Sequence, residues 1–121
     1  ADAYRISGSY STARMMAFKS AKLRPEWGEP YISIANIYIS SAKKCASSDF
    51  EKEAVYWVAV DKFIRAKSID KTLTEKANKA IATYSKYFPN TESCFFNGVE
   101  SGQSYKVECW INESTKVRTR D

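Results

Sequence analysis

The sequence predicts a mainly helical fold: antiparallel helix hairpins followed by a small C-terminal β-hairpin. Three patterns carry that reading. Tyr31, Ile34, Ala35 and Tyr38 stand at i, i+3, i+4 and i+7, which lays one apolar stripe along a helix. Val55, Ala59, Phe63 and Ala66 form a second stripe of the same period. Beyond Pro89 the period drops to two, with Tyr105, Val107, Cys109 and Ile111 alternating with Lys106, Glu108 and Trp110, as in a half-buried strand. The 121 residues, 44% of them hydrophobic, suffice for one domain with a real core. Residues 1–88 form its helical body and residues 89–121 a β appendage packed on it.

Each element follows from local chemistry. Asp2 to Ser7, with Tyr4 and Ile6, reads as the end of one helix, broken at Ser7-Gly8-Ser9. Tyr10, Ala13, Ala17 and Ala21 then mark a helix that stops before Pro25, because proline disfavours helical geometry in the residue ahead of it. Its small residues allow another helix to approach closely. Pro30 suits the first turn of the next helix. The β-branched run Ile32, Ile34, Ile37 and Ile39 also fits a buried strand, but the leading proline and the spacing favour a helix, with apolar residues on several sides. Residues 43–49 read as a polar loop holding Cys45. Ser48 and Glu51 have capping-box spacing at the start of a helix over 49–68, whose last turns carry Lys62, Arg65 and Lys67. Tyr56 and Trp57, being adjacent, cannot both face one core. Thr72 and Glu75 repeat the cap before a helix bearing Ala77, Ala80, Ile81 and Tyr84. Asn97-Gly98 and Gly102 turn the chain into the strand at 105–111, and Thr115 to Thr119 pairs with it.

Composition narrows the chemistry. Nineteen Lys and Arg against fourteen Asp and Glu give +5, a modest excess scattered along helices apart from Lys116, Arg118 and Arg120. Those three favour edge protection on a strand over phosphate binding. The chain has no histidine, and its three cysteines lack metal-ligand spacing, so no metal, cofactor or catalytic pairing is predicted. Asp61, on an otherwise apolar helix, calls for a Lys or Arg partner. No run approaches the roughly 18 apolar residues of a membrane span. The chain starts without Met and reads as part of a longer protein. Three cysteines permit one disulfide and a spare thiol, or three buried thiols.

Tyr31, Ile34, Ala35, Tyr38, Ala59, Phe63 and Ala66 together resemble a tetratricopeptide repeat, with Lys71 where the closing proline would stand and about twelve extra residues between the halves. Tyr4, Ala13, Ala17 and Pro25 fit part of a preceding unit, and Ala77, Ala80, Ile81 and Tyr84 the first helix of a following one. More narrowly, Arg24-Pro25-Glu26-Trp27-Gly28, Val55-Tyr56-Trp57 and the closing Cys109-Trp110-Ile111 resemble the C-terminal region of envelope-associated tetratricopeptide proteins of Bacteroidota. The resemblance implies a non-enzymatic protein-interaction module in the cell envelope, periplasmic or associated with the outer membrane. It also implies a Cys45–Cys109 disulfide, with Cys94 as the fallback partner.

By the same resemblance, Ile32, Asn36, Ile39 and Ser40 would face a concave surface and hold an extended peptide, unless Phe95 and Phe96 fold over that surface and cap it. A cap that binds nothing, and nucleic-acid binding through the basic C-terminus, are the alternative functions.

Overall fold

The computed structural model describes residues 2–45 and 47–121, with side chains described from Gly8 onward. The expectations placed on the Tyr4 and Ile6 side chains lie outside that range. The order is α1 (Asp2–Leu23), α2 (Glu29–Cys45), α3 (Asp49–Ile69), a 3-10 turn (Lys71–Leu73), α4 (Thr74–Ser85), α5 (Thr91–Phe96), β1 (Ser104–Val107) and β2 (Glu113–Lys116). Contacts run from neighbour to neighbour: α1 on α2, α2 on α3, α3 on α4, with the hairpin laid on α3. The β-branched run is helical, so the 3.6-residue period outweighs strand propensity here.

The stripes read from the sequence become the core. Ile34, Ala35, Tyr38, Ala59, Phe63 and Ala66 are all buried, and α3 is enclosed on most sides, with Ala54, Val55, Trp57, Val58 and Val60 buried as well. Trp57 is fully enclosed while Tyr56 is half-buried, which resolves the conflict between those adjacent rings. Tyr56 stacks on Tyr84 and Tyr87 at centroid distances of 6.0 and 5.1 Å, tying α3 to α4. Burial, with Tyr87 and Tyr84 adding to it, pushes the Tyr56 phenol above its usual pKa.

The helix ends show which local signals dominated. Ser48 caps α3, its hydroxyl accepting from Glu51 N at 3.2 Å. The Glu51 carboxylate accepts from Ser47 Oγ instead of reaching back to the cap. α1 is continuous through Ser7-Gly8-Ser9, so one glycine does not break it; Gly weakens a helix interior by only about 1 kcal/mol. α2 extends to Cys45, which therefore closes a helix and does not sit within a loop. The cap expected from Thr72 on α4 does not form, α4 starting without a side-chain cap; Asp70 instead caps the 3-10 turn ahead of it, its carboxylate accepting from Thr72 N and from Gly28 N at 2.9 Å. The Gly28 amide, then Thr72, hold that carboxyl below its ordinary pKa. Gly28 is required by space, since a Cβ there would lie 2.7 Å from Ala66 O and 2.8 Å from Asp70 Cβ.

β1 and β2 pair antiparallel with Tyr105 opposite Thr115 and Val107 opposite Glu113. Tyr105 packs edge-on against Phe50 and Trp57, at 5.8 and 5.5 Å, and so seats the hairpin on α3. β1 ends at Val107, short of the expected Ile111, and β2 starts at Glu113, ahead of the expected Thr115, and stops at Lys116, short of Thr119. Cys109 and Asn112 adopt φ of 62° and 53°, left-handed conformations that end the strand and curl residues 108–112 into a turn. The turn presents Ile111 to the core and leaves Cys109 outside, bonded to Cys45. That pairing is the one the resemblance implied, and it leaves Cys94 as a free, buried thiol on α5, a short helix the sequence reading lacked.

Candidate functional site

Three places bring chemistry-bearing side chains together, and they differ in what they leave open. The first is a half-buried polar cluster where α1, α2 and α3 meet the C-terminal turn. Arg14 donates to Ile111 O at 2.7 Å, to Trp110 O and to the Tyr38 hydroxyl, with its guanidinium 4.7 Å from the centre of the Trp110 ring. Tyr38 in turn donates to Glu113, whose other carboxylate oxygen pairs with Lys62. Burial first, then the bond to Glu113, raises the Tyr38 pKa well above that of a free phenol.

The second lies one step along α3. Asp61 accepts from Thr115 Oγ1 and pairs with Arg118 at 2.9 Å, which is the cationic partner this acid called for. Arg118 also donates to Trp57 O, while Trp57 Nε1 donates to Arg118 O, both at 2.9 Å. Arg120 pairs with Glu53 at 3.5 Å and donates to Phe88 O. In both clusters each carboxylate is already bonded to donors from a distant segment. A general base needs a lone pair aimed at an opening. These groups fasten the chain's end to its helices. The basic ending is largely spent in the same way: Arg118 is half-buried, Arg120 is bonded to Glu53 and Phe88 O although exposed, and Lys116 stands on the exposed rim.

The third place is a cleft of about 400 Å³ on the surface between α1 and the start of α2, lined by Ala17, Ser20, Trp27, Glu29, Pro30 and Ser33. The small residues of α1 leave the space, and Trp27, with Arg24 4.5 Å above its ring, walls one end. Glu29 faces Lys76 of α4 at 3.4 Å. Ser33, Asn36 and Ser40 continue from the cleft as an exposed polar row on α2. A smaller cavity of about 60 Å³ beside the disulfide, lined by Cys45, Val55, Tyr105 and Glu108 among others, has room for a few waters.

The four residues assigned to peptide contact separate. Asn36 and Ser40 are exposed, Ile39 is half-buried, and Ile32 is in the core at 4% exposure and offers a partner nothing. Tyr10 donates to the Ser40 carbonyl from α1. The cap expected from Phe95 and Phe96 is absent: they are 84% and 88% exposed, and Val107, Ile111 and Val117 supply the C-terminal burial. Sequence reasoning missed Arg14, Tyr38 and Glu113 as a unit, since nothing local signals a contact spanning α1, α2 and the last ten residues. It also missed Trp27 and Ser33, although Trp27 beside Pro25 and Gly28 was a visible marker of an aromatic held on a connector.

Among the described residues no helix is long and apolar enough to cross a membrane. The Cys45–Cys109 bond is compatible with an extracytoplasmic domain. Compared with known proteins, the chain matches no family model, no curated protein and no solved structure.

Proposed function

We propose that this chain is a non-enzymatic, tetratricopeptide-like interaction module of an envelope protein, which holds an extended peptide in the cleft between α1 and α2. The observation that carries the reading is the position of the C-terminal segment. It packs on α3 and against Arg14 and Tyr38, and leaves the cleft and the Ser33, Asn36, Ser40 row uncovered. The row offers hydroxyl and amide groups at the spacing of successive helical turns, and Trp27 and Pro30 supply apolar contact, a mixture suited to peptide backbone. Stacked helices with neighbour contacts give a rigid wall, so binding would not require the fold to reorganise. The disulfide supports placing the module outside the cytoplasm.

A random 12-residue peptide library displayed on phage and selected on the immobilised chain tests this. The reading expects enriched sequences with a shared pattern whose binding falls at least tenfold when Ser33→Trp fills the cleft, and is unchanged in Phe95→Ser. A selection with no enrichment, or peptides indifferent to Ser33→Trp, would leave the chain as a structural cap.

A further inference from the structure

Two surfaces outside that cleft are unusual, and they complement each other. Of eight exposed large apolar side chains among the described residues, four lie on α1: Met15, Met16, Phe18 and Leu23, with Leu23 82% and Met16 63% exposed. Met16 and Leu23 are two turns apart on the side of α1 turned away from α2, which α1 meets through Tyr10, Arg14 and Ala17. Lys19 and Lys22 stand on the same outer side, and the sequence has no acid between Asp2 and Glu26. This face is therefore apolar, methionine-rich and cationic. Methionine adapts its shape to irregular partners and packs well against aromatic rings.

The opposite character sits at the far end of the chain. Phe95 and Phe96 project almost fully into solvent from α5, at 84% and 88% exposure. Glu92, one turn earlier, and Glu100, just beyond the Gly98 turn, are exposed on the same segment, and the sequence has no Lys or Arg between Lys86 and Lys106. The knob is aromatic and anionic where the α1 face is methionine-rich and cationic.

We propose that the α5 knob of one copy of this chain docks on the outer face of α1 of a second copy, joining copies head to tail. Phe95 and Phe96 would lie against Met16 and Leu23 while Glu92 and Glu100 meet Lys19 and Lys22. The two patches are different surfaces of the molecule, so the contact is heterologous, and each copy keeps one free knob and one free face for growth into chains or rings. Two phenylalanines bury roughly 150–250 Å² each, which places the contact among small, transient interfaces. Opposite charges at its rim set orientation and speed encounter more than they hold the pair.

Sedimentation of the 121-residue chain over about 10 µM to about 1 mM tests the proposal, a range suited to a small transient interface. The weight-average mass should climb with concentration, and the association should weaken several-fold in 0.5 M NaCl. Phe95→Ser with Phe96→Ser removes the knob, and Met16→Glu with Leu23→Glu removes the face. Each variant alone should remain monomeric, and an equimolar mixture of the two should form pairs and nothing larger, because one working knob then meets one working face. Circular dichroism confirms that both variants are folded. A second set, Lys19→Glu with Lys22→Glu and Glu92→Lys with Glu100→Lys, should each weaken association at least five-fold and regain it when mixed. A parent chain that stays monomeric throughout, variants that still associate, or a mixture no better than its components would overturn the proposal.

Discussion

α1 packs on α2 and the C-terminal hairpin on α3, and the two are held in opposite ways. From the C-terminal segment, Val107, Ile111, Thr115 and Val117 are buried, and the segment is tied down by Arg118 on Asp61, Glu113 on Lys62 and Tyr38, and a disulfide. α1, several times longer than either strand, buries only Ala21 outright among its described residues and turns four large apolar side chains to solvent. Length and periodicity therefore do not decide how firmly an element is held. What decides it is whether its side chains meet donors, acceptors and cavities of matching shape on the far side of the interface. A helix satisfies its own backbone and can sit loosely on a neighbour. A four-residue strand cannot, and this short hairpin is stable only because α3 completes it.

The most severe way to break the sealed side is Trp57→Ala. The indole is fully enclosed, touches Phe50 and Tyr105 edge-on and donates to Arg118 O, so the substitution opens a cavity under the hairpin and strands a carbonyl. Urea denaturation should show a loss of about 3–5 kcal/mol. Replacing Cys45 and Cys109 together by Ala should cost about 2–4 kcal/mol, because the bond closes a loop between residues 64 apart and restricts the unfolded chain. Reduced parent protein should match that double variant. Unreduced, unfolded protein should titrate one thiol, Cys94, and three after reduction.

Tyr38→Phe probes the joint between the two regions, since Tyr38 contacts Arg14 on one side and Glu113 on the other. It should cost about 1–2 kcal/mol at pH 7. The pH dependence has a definite sign. Burial and Glu113 raise the folded-state pKa of Tyr38, so above about pH 10 the unfolded phenol ionises first. The stabilisation is whole below that pH and is lost as pH rises toward the folded value. Tyr38→Phe should therefore flatten the fall in the urea midpoint between pH 9 and about pH 11. Some slope should remain, because Tyr56 and Tyr105 are also raised by burial.

Much of this contrast could be read from the sequence where the cause is local. The buried rows of α2 and α3, the Ser48 cap, the Pro30 start and the β-hairpin all follow from spacing or capping chemistry within a few residues. The failures that bear on the site are mostly nonlocal. Ile32 belongs to an apolar row that could face either a groove or the core, and the fold assigns it to the core. Phe95 and Phe96 are expected to close the concave face because a helical array needs its last apolar surface covered, yet the six residues of α5 bury Cys94 and point the pair outward. Cys109 and Asn112 take left-handed conformations with no glycine to announce them, which is why the alternating pattern overran the real strand. The cleft combines a connector tryptophan with one side of α2 and one side of α1, and no single stretch of sequence displays it.

The smallest expected effect is on the bare side, at Leu23→Gln. Leu23 is the last residue of α1 and is 82% exposed, so the folded chain gains little from its side chain. Folded and unfolded states then present it to water almost equally, and hydrophobic stabilisation scales with the area removed from water between them. Leucine and glutamine also differ little in helix propensity. The stability of the monomer at low concentration should stay within about 0.5 kcal/mol of the parent. A much larger loss would mean that α1 is held through its outer face, and that its end near Leu23 is packed nearly as firmly as the C-terminal segment. An unchanged monomer would confirm that the two regions are held by different means, with α1 anchored from Tyr10 to Ala21 and its outer face left free.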